Sequence, residues 1–546
     1  MKSKNTYKLS GNIIDLRAEK IFKGTVHVVD GIISKIVEEK VAEEQYILPG
    51  LIDSHIHIES SMLIPSEFAK LAVVHGTVAT VSDPHEIANV LGIDGIKYMI
   101  ANGNKVPFKF YFGASACVPA TPFETSGFQF HEKEMEELLG MKEIKYLSEM
   151  MNFPGVINRD AWEMRKIEIA KKLNKPVDGH APGVTGEDAQ KYAEAGVTTD
   201  HECFTMKEAL DKISFGMKIQ IREGSAAKNF EELIDLMQDH SDKILFCSDD
   251  KHPNDLVKGH INEMIIRAIK KGYEPMKVLR SVILNPIEHY GLEVGTLQVN
   301  DPADMIVVNN LDEFKILQTY VDGVLVAENG TTYIDSVPED QPNNFHAAPI
   351  TTDQLKIEPI GNKLKVIEAL DGQLITGFLL EDFKVENNNV VSDVDNDILK
   401  LVVLNRYEKA EPAIAFIKNF NLKSGAIASS VAHDSHNIVA VGTSDEAITQ
   451  AINLVIKEEG GISMINNADK KVIPLPVAGL MSTCDGYRVA TSYQIIDDEV
   501  HKMGSKLRAP YMTLSFMALL VIPELKLSDK GLFDGIKFSF TDLFVV

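Results

Sequence analysis

The chain has 546 residues, roughly three to four average domains by length, so more than one hydrophobic core is expected. Apolar residues make up 45% and charged residues 25%, which excludes a disordered or collagen-like chain. Lys and Arg total 55 against 79 Asp plus Glu, a net charge of -24. That balance repels a phosphate backbone or an anionic membrane surface, so neither nucleic acid nor membrane is expected as a partner.

Met1 to Asp15 mixes Lys and Asn with short apolar runs and lacks an apolar core with a cleavage site, so no secretion signal is expected. Asn12 to Ile47 alternates apolar and polar residues around turns such as Asp30-Gly31, which predicts a small antiparallel sheet. From Leu48 to about Tyr290, β-type apolar runs recur, each closing in a polar cluster and each followed by a helix-compatible stretch. The runs end at Ser54-His55, Val81-Ser82, Phe112-Gly113, Ser148-Glu149, Asp178-Gly179, Asp200-His201, Arg222-Glu223 and Cys247-Ser248. Eight such units in residues 48–290 match a (β/α)8 TIM-like barrel of the α/β class. An open doubly wound sheet is disfavoured, because no GxGxxG loop follows the first strand and the chemistry-bearing residues sit at several strand ends.

Short strands with turn signals return in Gly295 to Asn329, so residues 1–47 with 291–335 are expected to form one composite β-sheet domain into which the barrel is inserted. Ser336 to Thr352 shifts to Pro, Asp, Asn and Gln and reads as a linker. Residues 353–546 follow as a C-terminal α+β domain, with strand runs around a helix predicted from Glu446 to Ile456. The most apolar stretch, Leu514 to Ile522, is too short to span a bilayer, which needs ~20 apolar residues. Cys117, Cys203, Cys247 and Cys484 lie far apart with no CxxC pair and read as buried thiols in a reducing compartment, the cytoplasm.

In PGLIDSHIHIES, His55 and His57 stand two apart on a strand and project from one face. An isolated pair of this kind is more often solvated or packed in a core than bound to metal. His180 in DGHAPG, His201 in DHECF and Asp249 in CSDDKHP change those odds, since each closes a predicted barrel strand, where barrel enzymes assemble their sites. Glu149 closes IKYLSEM, and its carboxylate is suited to bridge two cations about 3.5–4 Å apart. Six metal-ligating groups at one barrel mouth point to a metal centre.

The set resembles the amidohydrolase superfamily from PGLIDSHIHIE into GTLQVNDPADMIVV. SDPHE, DGHAPG, DHECF, IREGSAAKN, FCSDDKHPNDL and PLPVAGLMST narrow the resemblance, over essentially the whole chain, to the bacterial and archaeal adenine deaminases. The carboxylated lysine that bridges the metals elsewhere in the superfamily is replaced by Glu149, since Lys145 lies too early on its strand. The resemblance implies hydrolysis of adenine to hypoxanthine and ammonia in purine salvage, by a hydroxide raised at two divalent ions, manganese or iron more than zinc. The small molecule adenine is then the partner, and a homo-oligomer is expected. Asp249 is the natural proton shuttle ahead of Asp250, and Glu86 the first choice to protonate the ring nitrogen. Asp83 and His85 of SDPHE are candidate substrate contacts, although acidic residues there equally suit the cap of a helix starting near Ile87. Arg222, Glu223 and Ser225 are weaker candidates for base recognition, and turn-stabilising roles suit them at least as well.

Two other readings compete. Cyclic amide hydrolysis of the dihydroorotase or hydantoinase kind would use the same centre, but the bridging lysine is missing; a non-catalytic barrel scaffold would not need every ligand retained. The zinc deaminases of nucleic acids need a PCxxC element that this chain lacks. His433, Asp434 and His436 of VAHDSHNIVAVG are expected in a solvent-exposed turn ahead of an extra metal or active-site contribution, and PLPVAGLMST in a tight turn with a helix start.

Overall fold

The computed structural model describes residues 6–545, so Met1 to Asn5 of the N-terminal reading, and Val546, lie outside the described residues. Strands Thr6–Asp15, Lys20–Val29, Ile32–Glu38 and Tyr46–Pro49 join Met305–Val308, Ile316–Val321, Val324–Glu328 and Thr331–Thr332 in an eight-stranded sheet. Tyr46–Pro49 holds the two flanks together. It runs parallel to the first strand and antiparallel to Met305–Val308, with Met305 opposite Pro49. Asp30 and Gly31 both adopt positive φ, 51° and 85°, as a two-residue hairpin turn with matching twist requires.

Between the flanks lies the barrel, whose parallel strands are Leu51–His57, Thr77–Ser82, Lys109–Ala114, Ile144–Met150, Val177–Gly179, Thr199–Asp200, Lys218–Arg222 and Ile244–Cys247. Helices cover the outside, so the first two strands are buried along their whole length, which explains continuous apolar runs where an open sheet would alternate. The seam between the last strand and the first is made by Asp249 and Asp250, which pair with Ile56 and His57. Side chains reinforce this seam. The Asp53 carboxylate accepts Ser248 N–H at 3.0 Å, the Ser248 hydroxyl, and His260 Nε2 at 2.8 Å, while Ser54 Oγ donates to the Phe246 carbonyl at 2.8 Å.

The C-terminal region contains a nine-stranded sheet with the order Thr376–Glu381, Lys363–Ala369, Ala413–Lys418, Leu399–Leu404, Ile438–Gly442, Ala426–Ser429, Gly461–Asn466, Asp469–Pro474, and Phe544–Val545 pairing beside Lys363–Ala369. Its two faces separate with period two. Leu399, Leu401, Val403, Val439 and Val441 join the core that continues into the barrel, whereas Val402, Leu404, Ile438 and Ala440 pack against Ile448, Ile452 and Val455 of helix Asp445–Lys457. That helix exceeds its predicted span by one residue at each end and is capped by Ser444 Oγ, which accepts Ala447 N–H at 3.2 Å.

Pro342, Asn344 and His346 run without regular structure yet are fastened: Ala478 N–H donates to the Pro342 carbonyl at 2.8 Å and Asn344 Nδ2 to the Val90 carbonyl at 3.2 Å. Leu514 to Ile522, read above only for its apolarity, forms the end of helix Pro510–Phe516 and a buried turn over the barrel mouth. Among the described residues no helix is long and apolar enough to cross a membrane. Cys484 departs from expectation. It is exposed, because it sits in the loop just ahead of Asp485, the cap of helix Gly486–Lys502, rather than inside that helix.

Replacing Asp53 with Ala strips buried Ser248 and His260 of their shared acceptor, so Asp53→Ala should lower unfolding stability by about 3 kcal/mol, measured by urea denaturation.

Candidate metal centre

Every histidine and carboxylate singled out at a strand end reaches one buried space. Glu149 stands at its middle because residue 149 is next to last in its strand, where side chains turn into the mouth. Its two oxygens face different partners. Oε2 lies 2.9 Å from His180 Nδ1, 3.0 Å from His201 Nε2 and 3.9 Å from His55 Nε2, while Oε1 lies 3.6 Å from His57 Nε2 and 3.4 Å from His85 Nδ1. Asp249 Oδ1 closes the set, 3.4 Å from His55 Nε2 and 3.3 Å from His57 Nε2. Asp249 takes a positive φ of 52° at the seam, a costly conformation for a residue other than glycine that the surrounding structure must impose.

The donor set fits divalent cations. His55, His57, Glu149, His201 and Asp249 bring their ligand atoms together in overlapping groups, and His180, His201 and Glu202 in another. His55 Nε2, which faces Glu149 and Asp249, is buried without a hydrogen-bond partner, which is unusual for an interior polar atom unless a ligand engages it. His57 Nδ1 lies 3.2 Å from the Asp83 carbonyl. A carbonyl only accepts, so that nitrogen carries the proton and Nε2 presents its lone pair to the centre.

Charge is balanced from below. Arg222, completely buried, donates to both oxygens of Glu202, at 3.2 Å for Nη2 to Oε2, and through Nη1 at 2.8 Å to Asp249 Oδ2. Burial alone would push the Asp249 carboxyl up, but Arg222, His55 and His57 outweigh it and hold it well below the usual range. Glu149 is likewise held ionised against its burial by His180, His201 and His57. Arg222, offered above for base recognition, is therefore occupied with carboxylates. Ser225 is also turned away, its hydroxyl donating to Asp255 at 2.7 Å and accepting His252 N–H at 2.9 Å, which matches its turn-stabilising alternative.

The SDPHE loop divides its labour. Asp83 sits just before Pro84, the N-cap of helix His85–Gly103; one of its oxygens accepts His85 N–H at 3.1 Å, and the other lies 3.2 Å from His85 Nδ1. Asp83 and His85 thus belong to the histidine cluster around Glu149. Glu86 is no cap: it turns toward the C-terminal region, with Oε1 2.6 Å from His433 Nδ1 and Oε2 against His436 Nε2. Here the structure corrects the expectation of an exposed turn. His433, Asp434 and His436 are 4%, 2% and 0% exposed, because their loop plugs the barrel mouth and is pinned by Tyr407 Oη on the Ser435 carbonyl at 2.5 Å and Asn437 Nδ2 on the Thr125 carbonyl at 2.9 Å. Burial pulls His433 down, yet Glu86 and Asp250 outweigh it and raise the imidazole to about 9. PLPVAGLMST does form a turn, through the Val477 and Met481 bridge, but the following helix begins only at Gly486.

Sequence reasoning passed over Glu202 although it adjoins His201 in DHECF; its Oε1 lies 3.5 Å from His201 Nε2. It also passed over the roof. Leu374, Phe516 and Leu519 close the space above His57, Glu86, Glu149 and Asp249, with the Phe516 ring stacked on His433 at 4.8 Å.

Comparison with known proteins adds to this geometry. Residues 46–326 match the family model described as the amidohydrolase family, and residues 373–539 that of the adenine deaminase C-terminal domain. The chain is 52% identical over 542 residues to an adenine deaminase of Salinibacter ruber, covering 99% of each. It is 55% identical over 536 residues to one from a Sulfurovum species, covering 98% of this chain and 99% of the relative. An adenine deaminase of Methanosarcina mazei is 50% identical over 550 residues, covering 98% and 99%.

Removal of Arg222 leaves Glu202 and Asp249 buried without their cation. Arg222→Met should cost the chelator-treated protein about 3 kcal/mol at pH 7. Because Asp249 is depressed in the folded state, the wild-type advantage exists above the unfolded aspartate value and fades as pH falls below about 4. Urea unfolding at pH 7 and at decreasing pH measures both.

Proposed function

The chain belongs to the adenine deaminase family, within the amidohydrolases, and on that premise we propose that it hydrolyses adenine to hypoxanthine and ammonia. The observation that carries the proposal is the placement of Glu149 beneath an apolar roof, with Oε2 facing His180, His201 and His55 and Oε1 facing His57 and His85. His55, His57 and Asp249 would hold one divalent cation and His180 and His201 a second, with Glu149 between them. Two such ions, manganese or iron ahead of zinc, supply the Lewis acidity that brings the pKa of water toward neutrality.

The chain's own residues do the rest. A flat purine ring packs well against an apolar surface, and Leu374, Phe516 and Leu519 offer one above the carboxylates, over a space that must widen to admit the ring. Asp249 serves as the proton shuttle, taking a proton from the attacking water and returning it to the departing amine. Arg222 keeps that carboxylate aimed through its bond to Oδ2. Glu86 Oε1 lies 2.6 Å from His433 Nδ1 at the wall of the same space, so the pair, rather than Glu86 alone, supplies the proton to the ring nitrogen. The proton comes from the His433 side and is replenished from the water consumed. Water, adenine, hypoxanthine and ammonia then balance without another reactant. A role in purine salvage in the cytoplasm accords with this chemistry.

Ammonia release from a panel of purines, pyrimidines and cyclic amides, after reconstitution with manganese, tests the reading. Adenine should lead the panel, and adenosine should be turned over far less efficiently, since a ribose needs extra room among the polar loops crowded at the barrel mouth; comparable kcat/KM for the nucleoside counts against it. Asp249→Asn should lower kcat by ~10²–10⁴ with a smaller change in KM. Glu149→Gln should reduce bound metal and abolish most activity, because a neutral amide does not offset repulsion between two cations; elemental analysis of the folded variant reads this directly.

A further inference from the structure

Lys526, in strand Leu525–Ser528, is completely buried. Its Nζ donates to the Leu374 carbonyl at 2.6 Å and the Phe516 carbonyl at 2.9 Å. Both acceptors are uncharged, and burial alone pushes the ammonium down to about 7. A buried ammonium without a counter-charge is costly, and a methionine would fill the same space without that cost. What only the amine provides is two N–H groups for two carbonyls, and the neutral form keeps both.

Those carbonyls belong to the roof. Leu374 stands in the loop between Lys363–Ala369 and Thr376–Glu381, and Phe516 ends helix Pro510–Phe516, its carbonyl accepting Leu519 N–H at 3.2 Å as well as the Lys526 ammonium. Both side chains line the space over His57, Glu86, Glu149 and Asp249, and Phe516 also stacks on His433, the partner of Glu86. The fold does not need Lys526 to hold this strand in place. Thr376 Oγ1 already donates to the Leu525 carbonyl at 2.8 Å, Thr376 N–H to the Pro523 carbonyl at 3.0 Å, and Glu524 N–H to the Thr376 carbonyl at 3.2 Å.

We propose that Lys526 is a positioning residue that clasps the two roof segments together, fixing the height of Leu374 and Phe516 over the acid and base groups and so which purines the site accepts. This rests on the adenine reading above. The residue touches no reacting atom and acts through the two carbonyls it holds.

The test compares Lys526→Met and Lys526→Gln with the wild-type holoenzyme. Hydrogen exchange, metal content, thermal midpoint, and kcat and KM for adenine and 9-methyladenine are measured. In Lys526→Met, amide exchange should rise about tenfold in residues 370–376 and 514–520 together and stay unchanged in the barrel strands, as expected for loss of a local clasp. KM for adenine should rise about tenfold with kcat within about threefold, and the preference for adenine over 9-methyladenine should narrow about tenfold. Lys526→Gln is too short to reach both carbonyls and should free at least one segment, and it decides the matter if the methionine variant does not fold. Wild-type exchange and KM in a folded variant overturn the clasp, as does activity that falls only in proportion to folded protein while KM and selectivity stay put. A native holoenzyme that leaves adenine untouched would defeat the substrate reading instead, and exchange in the two segments would still decide the clasp.

Discussion

Asp83, Glu86, Glu149, Glu202, Asp249 and Asp250 are all buried around one small space, and confining so many carboxylates together is the constraint from which the surrounding structure follows. Each loses hydration and repels its neighbours, so each needs a fixed partner in a medium where an unpaired charge costs several kcal/mol. Arg222 answers for Glu202 and Asp249, the histidines on three strand ends for Glu149, and His433 with His436 for Glu86. Asp250 instead accepts the Ser60 hydroxyl at 2.5 Å. Cations between the histidines would add to this balance, so occupancy and fold stability should be linked, as ligands that favour the native state require.

That constraint explains the presence of the C-terminal region. A (β/α)8 barrel presents its strand ends to solvent, and Glu86 at an open mouth would be hydrated and free to turn. The His433 loop and the Phe516 segment cover the mouth, place imidazoles beside Glu86, and bury Glu86, His433 and Asp249, which strengthens every charge interaction among them. The apolar run Leu514 to Ile522 thus serves neither a membrane nor a private core of its domain. It is the ceiling of the site, and its apolar character suits a flat heteroaromatic ring.

How much of this is legible in the sequence differs by residue. Barrel strands read well because they are buried on both faces and punctuated by polar clusters, and His55, His57, Glu149, His180, His201 and Asp249 read well because a strand end dictates direction. Glu202 was legible in principle, one residue beyond His201, but a residue two past its strand has no fixed direction, and Arg222 together with the His180 and His201 rings fixes where it points. His433, Asp434 and His436 failed for a different reason. Polar residues in a turn have the same local pattern whether they meet solvent or plug a cavity more than 300 residues away in sequence, as Ser435 does in meeting Glu124, 311 residues distant. The roof is illegible on the same ground, since apolarity says that a segment is buried and not what it covers.

The seam of the barrel shows how finely the site depends on features outside it. Asp53 belongs to the same short motif as His55 and His57, but its side chain turns away from the mouth to hold Ser248, directly before Asp249. The motif therefore sets two things at once: the direction of the paired imidazoles and the register in which the last strand meets the first, with Asp249 opposite Ile56 and Asp250 opposite His57. A slip of one residue at that seam would turn Asp249 from the centre, since alternate residues of a strand face opposite sides. Asp250 would take its place, bound to Ser60 and without Arg222 behind it. The choice between two adjacent aspartates, which their sequence leaves open, is thus made by a hydrogen-bonded carboxylate on the opposite strand.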